Sequence, residues 1–205
     1  MKTIILPSDS ANTISHAVDV LRQGGVVAFP TDTVYGLGAL AFMRQSVGRL
    51  YTIKGRDHSK AIAVLIAEGD QLNEIAEQPN EAAQRLARRF WPGPLTLVLD
   101  RHTQVPKGLA PGDSIGVRMP DHPVALALLA EAGPMAVTSA NLSGELNTES
   151  ASEVASQLNG RIHLIIDGGK APGGIPSTVV DMTGEMPIVL RTGPISEAEV
   201  LTALA

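Results

Sequence analysis

Residues Ala61 to Ile66 form an unbroken apolar run, closed off by Lys60 on one side and Glu68 on the other, that constrains the fold more than any other stretch. A strand that is apolar at every position has no face to show to water, so both faces need covering. Shorter runs share its character at Val26 to Phe29 and Met135 to Val137, and, but for Thr96 and His163, at Leu95 to Leu99 and Ile162 to Ile166. Between them the apolar residues take helical spacing, as in Ile14, Ala17, Val18 and Leu21, in Val47, Leu50 and Tyr51, and in Ala83, Leu86, Ala87 and Phe90. Helices are also predicted over 70–76 and 123–132, and a capping box at Ser150 and Glu153 opens one that runs through Val154 and Leu158 to Gly160. Near the end, strands at 176–181 and 188–191 flank a turn at Gly184, and Ser196 with Glu199 caps a last short helix. Alternation at first and strands together later predict an α/β sheet, mostly parallel in its middle with antiparallel additions, in one domain over 1–205.

Composition removes several function classes. Apolar residues are 44% and charged residues 18% of 205, so the chain can enclose a core and is not of a disordered type. Aromatic residues at 3% argue against a protein that stacks bases on aromatic platforms. A net charge of −5 excludes a globally basic nucleic-acid binder and leaves only a local basic concavity. Without cysteine there is no disulfide, thiolate nucleophile or thiolate metal site, and His16, His58, His102, His122 and His163 lack metal-ligand spacing. The apolar start at Met1 to Pro7 is too short for a secretory signal, and no stretch approaches the ~20 residues that cross a bilayer. The expectation is a cytoplasmic protein with no membrane partner.

The residues that carry chemistry sit at junctions. Lys54-Gly55-Arg56 places two cations between a helix and a buried strand, where a glycine lets a ligand approach the backbone; phosphate suits such a pair, and so does a solvated loop. Thr31 to Gly38 combines hydroxyls, a carboxylate and glycines in a loop after a strand, where ligands gather in α/β proteins and plain turns also occur. Arg118 ends a short strand, and Thr138-Ser139-Ala140-Asn141 ends another with polar groups suited to phosphate or ribose oxygens, or to a tight turn. Trp91 reads as a core lid, His163 as a packed residue, and Arg85, Arg88 and Arg89 as the solvated side of a helix. The glycines at 168, 169, 173 and 174 match neither nucleotide-binding fingerprint.

Six segments in register resemble the YrdC-like threonylcarbamoyl-AMP synthases. They are Pro30 to Leu37, Lys54-Gly55-Arg56, Trp91-Pro92-Gly93-Pro94, Gly116-Val117-Arg118, Ser139-Ala140-Asn141 with Ser143-Gly144, and Ser177 to Asp181. The likeness runs from about residue 10 to Arg191, with Lys54/Arg56 and Ser139/Asn141 as its hallmark. It implies a twisted mixed parallel/antiparallel sheet with flanking helices around a large, positively lined cavity. It also implies a reaction: L-threonine, bicarbonate and ATP give threonylcarbamoyl-adenylate and pyrophosphate. The product feeds t6A modification of tRNA by downstream transferase proteins, and Mg2+ accompanies ATP with no identifiable protein ligands. By the same resemblance Lys54 and Arg56 are catalytic, and Lys54, Arg56, Lys60, Ser114, Ser139, Asn141 and Arg191 bind ATP. Thr33, Arg118, Thr138 and Ser177 take L-threonine, with Arg118 as a fork on the carboxylate.

The chain departs from the pattern in that Asp57 follows Arg56 where proline is common, Leu65 or Ile66 stands for a histidine, and Ile175-Pro176-Ser177 replaces Glu-Ser-Thr. These leave open a paralogue that uses another amine. A second class of function is binding of double-stranded RNA or tRNA in the same concavity without chemistry. The related carbamoyl-transfer domain of hydrogenase maturation proteins carries zinc-finger cysteines, which this chain lacks.

Overall fold

The run marked for double burial becomes β4 (Ala63–Leu65), an interior strand paired antiparallel to β7 (Met135–Ser139) and parallel to β6 (Ser114–Arg118). In this computed structural model, which describes residues 2–205, the remaining strands are β1 (Ile4–Pro7), β2 (Val27–Phe29), β3 (Gly36–Leu40), β5 (Leu95–Asp100), β8 (Leu164–Asp167), β9 (Thr178–Asp181) and β10 (Ile188–Arg191). They form one sheet in the order β1-β8-β2-β3-β7-β4-β6-β5-β9-β10. The helices are α1 (Thr13–Arg22), α2 (Arg44–Lys54), α3 (Leu72–Ile75), α4 (Glu81–Phe90), α5 (Pro123–Ala132), α6 (Ala151–Leu158) and α7 (Glu197–Leu204).

The mixed sheet with flanking helices agrees with expectation, but the middle is not parallel. β2, β3, β7 and β4 pair antiparallel in turn, whereas the parallel pairs are β1–β8, β8–β2, β4–β6 and β5–β9. The reason is β3, which begins inside the stretch Thr31 to Gly38 expected to be a loop. Only residues 30–35 separate β2 from β3, too few for a parallel crossover, so the strand returns antiparallel. Its glycines disguised it: a Cβ on Gly36 would lie 2.8 Å from Val137 Cγ1, and one on Gly38 would lie 2.6 Å from Met135 Cε. Glycine here admits the side chains of β7. β1 was also not foreseen; it is an edge strand ending in proline, where the missing N–H is harmless.

Strand alternation divides the core between the two sheet faces. Val26, Ala28, Val64, Ala136 and Ile165 belong to one apolar cluster, whereas Val27, Phe29, Leu65, Met135, Leu164 and Ile166 belong to a second with Ala17, Leu21, Leu128 and Leu129 of α1 and α5. Caps close the helices as their sequences suggest: the Asn80 side chain accepts from Ala83 N–H, and Ser196 with Glu199 forms a complete box. At Ser150 only half the expected box forms, because Glu153 accepts from the Glu149 N–H instead. Among the described residues no helix is long and apolar enough to cross a membrane.

Candidate active site

On the second face, α1 and α5 cover the half around β8, β2 and β3, and the other half holds a cavity of about 570 Å³. That size falls within the roughly 300–1,000 Å³ usual for small-molecule sites. Alternate residues of neighbouring strands build its floor: Ala63 and Leu65, Thr96 and Val98, Ser114, Gly116 and Arg118, Val137 and Ser139, and Val179. Of the residues singled out in the sequence, Thr33, Arg56, Ser114, Arg118, Thr138, Ser139, Ser177 and Arg191 line this one space. Lys54, Lys60 and Asn141 do not.

Arg56 reaches the wall from a braced loop. Helix α2 stops at Gly55, whose φ of 61° is left-handed and suits a residue without Cβ. The chain then folds back: Arg56 donates from Nε to the Lys60 carbonyl at 3.2 Å and from Nη2 to the Ala61 carbonyl at 2.8 Å. Asp57 Oδ1 accepts from the Ser59 N–H at 2.8 Å, so the residue in place of proline closes the loop by an Asx turn. Lys60 supplies its carbonyl to this loop while its side chain is exposed.

Lys54 lies behind the wall. It is 3% exposed, and its Nζ donates to the carbonyls of Ser139 and Asn141, with Asn141 Oδ1 at 3.4 Å. Burial, helped by the charge of Arg56, lowers its pKa to about 8. Asn141 in turn donates to the carbonyls of Leu142 at 3.0 Å and Glu145 at 2.7 Å, and Ser143 N–H donates back to the Lys54 carbonyl at 2.9 Å. Lysine and asparagine together hold the bend after β7, whose last two residues, Thr138 and Ser139, line the cavity.

Arg118, buried at the end of β6, donates from Nε to the Gly93 carbonyl at 3.0 Å, from Nη1 to Thr33 Oγ1 at 2.9 Å, and from Nη2 to Asp32 Oδ1. Asp32 Oδ1 also accepts from the Asp121 N–H at 3.1 Å, while its buried Oδ2 has no partner. The guanidinium expected to fork onto a ligand therefore already holds Asp32, and three of its five N–H donors have protein partners. Across the cavity, Arg191 donates from Nε to the Ser177 carbonyl at 3.0 Å and from Nη2 to Ser177 Oγ at 3.2 Å. A break in register between Val189 and Arg191 on β10 lets both Leu190 and Arg191 line the cavity, which strict alternation forbids.

Burial lowers the pKa of Arg56, Arg118 and Arg191; the charge of Arg56 adds to the effect at Arg191, and that of Arg191 adds to it at Arg118, against Asp32. These guanidiniums repel one another around a space whose described lining contains no carboxylate and no histidine. Such a site attracts a polyanion. It does not fit a protein-held divalent cation: among the described residues no group of acidic, histidine or cysteine side chains could hold one.

Other contributors were not foreseen from the sequence. Asp32 was visible in its loop, but nothing there pointed to Arg118 as its partner. Thr96 is a lone hydroxyl in an otherwise apolar strand, and that anomaly is the signal that could have found it. Tyr35 lines the cavity and ties down the glycine-rich segment, donating to the Gly169 carbonyl at 2.7 Å and accepting from Gly168 N–H at 3.2 Å. Trp91 donates to the Leu95 carbonyl at 2.7 Å and packs against the core, and His163 Nδ1 accepts from the Val26 N–H at 3.1 Å; both are structural.

An open mixed sheet with one half-face left bare and ringed by guanidiniums defines an α/β protein suited to small polyanionic ligands. The Sua5/YciO/YrdC family profile, described as telomere recombination, matches residues 19–193. Threonylcarbamoyl-AMP synthase of Pyrococcus abyssi is 45% identical over 190 residues, covering 91% of this chain and 56% of that protein. Threonylcarbamoyl-AMP synthase of Bacillus subtilis is 43% identical over 190 residues, covering 91% and 55%. The crystal structure of P. abyssi Sua5 complexed with L-threonine superposes with a TM-score of 0.94 at 40% identity, covering 100% of this chain and 61% of that one. The chain spans about half the length of these curated relatives. It belongs to the Sua5/YciO/YrdC family.

Proposed function

We propose that the protein is an L-threonylcarbamoyladenylate synthase, with residues 1–205 acting as one unit. The observation that carries this reading is the convergence of Arg56, Arg118 and Arg191 with the hydroxyls of Thr33, Thr138, Ser139 and Ser177 on one carboxylate-free cavity. Bicarbonate and the threonine amine give a carbamate with loss of water. A carbamate oxygen then attacks the α-phosphorus of ATP, the bond to the β-phosphate bridging oxygen breaks, and pyrophosphate leaves. Two anions must meet for this, and fixed cations offset their repulsion without any covalent enzyme intermediate.

In this reading Arg56, Arg191, Ser114 and Ser139 face the nucleotide, and Thr33, Thr138, Arg118 and Ser177 face the amino acid. Lys54 and Asn141 act from behind by shaping the bend after β7. Lys60 contributes through its loop carbonyl. Magnesium enters as the counter-ion of the triphosphate, with no ligand from the chain. The product is a mixed anhydride, which a threonylcarbamoyl-transferring partner consumes in modifying tRNA.

Pyrophosphate release from ATP and bicarbonate, measured with L-threonine, with L-serine and without amino acid, tests the reading. Release should depend on L-threonine, and Arg56→Ala and Lys54→Ala should each lose activity, about a hundredfold for Arg56. Equal release without an amino acid, or full activity in both variants, rejects it.

A further inference from the structure

We propose that Thr96 is a positioning residue for the amino-acid side of this cavity, setting the hydroxyl of Ser177; the inference rests on the proposed function. Thr96 Oγ1 lies 2.8 Å from Ser177 Oγ, the hydroxyl that Arg191 Nη2 reaches at 3.2 Å. The three groups form one chain across the floor, from the start of β5 through the entry to β9 to the end of β10.

Thr96 points at Ser177 because of its methyl group. Gly116 on β6 leaves a gap, and a Cβ there would lie 3.2 Å from Thr96 Cγ2 and 3.4 Å from Ala63 Cβ. The methyl therefore packs into space that glycine leaves free and that a larger residue would crowd. A β-branched side chain has few χ1 choices, and once the methyl is seated the hydroxyl direction follows. Serine at the same place keeps the hydroxyl but loses that restraint.

Proton counting shows what the chain presents to a ligand. A guanidinium only donates, so Ser177 Oγ accepts from Arg191. The two hydroxyls carry two protons, and the bond between them uses one, whichever donates. The other is left for an acceptor in the cavity, where both residues line the wall. The ligand oxygen it fits belongs to the amino acid, which Ser177 faces in the proposed function, and the carboxylate is the strongest acceptor that ligand offers. Without Thr96 Oγ1, Ser177 keeps one bond from Arg191 and its proton is free to turn away.

The test compares Thr96→Val, which keeps the methyl shape and removes the hydroxyl, with Thr96→Ser, in the full chain. L-Threonine binding is measured by calorimetry and steady-state pyrophosphate release by assay. Thr96→Val should raise both Kd and KM for L-threonine about fivefold to tenfold, the worth of one hydrogen bond, and leave the KM for ATP within about twofold. Thr96→Ser, which keeps the hydroxyl without the restraint of the methyl, should fall between the wild type and Thr96→Val in L-threonine affinity. Wild-type affinity for L-threonine in Thr96→Val overturns the proposal, as does an equal rise in both KM values, which marks a merely structural effect. If the wild type binds L-threonine but releases no pyrophosphate, the proposed reaction falls while the calorimetric ratio still decides the role of Thr96. If the wild type does not bind L-threonine, both fall.

Discussion

One face of the sheet is two different surfaces. Over β8, β2 and β3 it carries Leu164, Ile166, Val27 and Phe29, packed against Leu21 of α1 and Leu128 of α5. Over β4, β6, β5 and β9 the same alternation points Ala63, Gly116, Thr96, Arg118 and Val179 into open space. The backbone pattern is shared; what differs is the size and polarity of the inward residues. Large apolar groups call for a helix to cover them, whereas small ones and bonded polar ones can border a cavity. The covered half should therefore hold stability, and the open half should hold specificity and charge.

The largest expected effect lies on the covered half. Phe29 is fully buried, and Phe29→Ala should cost about 4 kcal/mol in urea unfolding, through lost transfer energy and the void it leaves. Activity below the unfolding transition should stay within about twofold, because Phe29 is not part of the cavity wall. A specific loss of turnover in folded protein would show that the two halves are not separable.

Next comes a place where the open half carries stability. Arg118→Met leaves the largely buried carboxylate of Asp32 with an uncompensated charge, which should cost about 3 kcal/mol. Adding Asp32→Asn should recover much of that loss without restoring activity. If the double variant is no more stable than the single one, the cost belongs to packing of the arginine stem rather than to the pair.

The same division explains what could be read in advance. Apolar runs and helical spacing located most elements, because burial is written into consecutive residues, as in Ala61 to Ile66. β3 escaped because its sequence, Gly36-Leu37-Gly38, answers to close neighbours on β7 rather than to its own propensity. With β3 unseen, the middle of the sheet came out parallel instead of antiparallel. In the cavity, the arginines and hydroxyls were visible as residues out of place at strand ends. The partners were not: Asp32 and Arg118 are 86 positions apart, and Lys54 and Asn141 are 87 apart. Nothing local indicates that Lys54 is engaged by carbonyls behind the wall. The bulge that turns Arg191 inward leaves no mark on an alternating pattern either.

Lys54 also gives the comparison a pH signature. Its folded pKa is about 8 against 10.5 when exposed, so between those values the unfolded chain holds a proton that the folded chain has released. Stability must then rise with pH across this window, by at most about 1.4 kcal/mol per unit, and be lowest below it. Urea unfolding at pH 7.5 to 10, compared between wild type and Lys54→Met, isolates the effect, which the variant should lack. Falling or flat stability in the wild type relative to the variant means that Lys54 keeps its proton against the carbonyls. Arg118, which no accessible pH neutralises, should show no such window.

The smallest effect on stability should come from Gly116→Ala, and it separates the two properties most sharply. The added methyl meets Thr96 Cγ2 at 3.2 Å and Ala63 Cβ at 3.4 Å, tight contacts that a few tenths of an ångström of movement would relieve. Crowding of that kind is partly offset by the lower chain entropy of the unfolded alanine variant. The net change in stability should stay below about 1 kcal/mol. The cavity floor is less forgiving, because the displaced group is the methyl that fixes the hydroxyl of Thr96. L-Threonine affinity should therefore fall several-fold in a protein that unfolds almost as the wild type does. A variant that loses stability and keeps its affinity would mean that the bare half-face is held rigid by packing after all, and that the contrast between the two halves is one of shape alone.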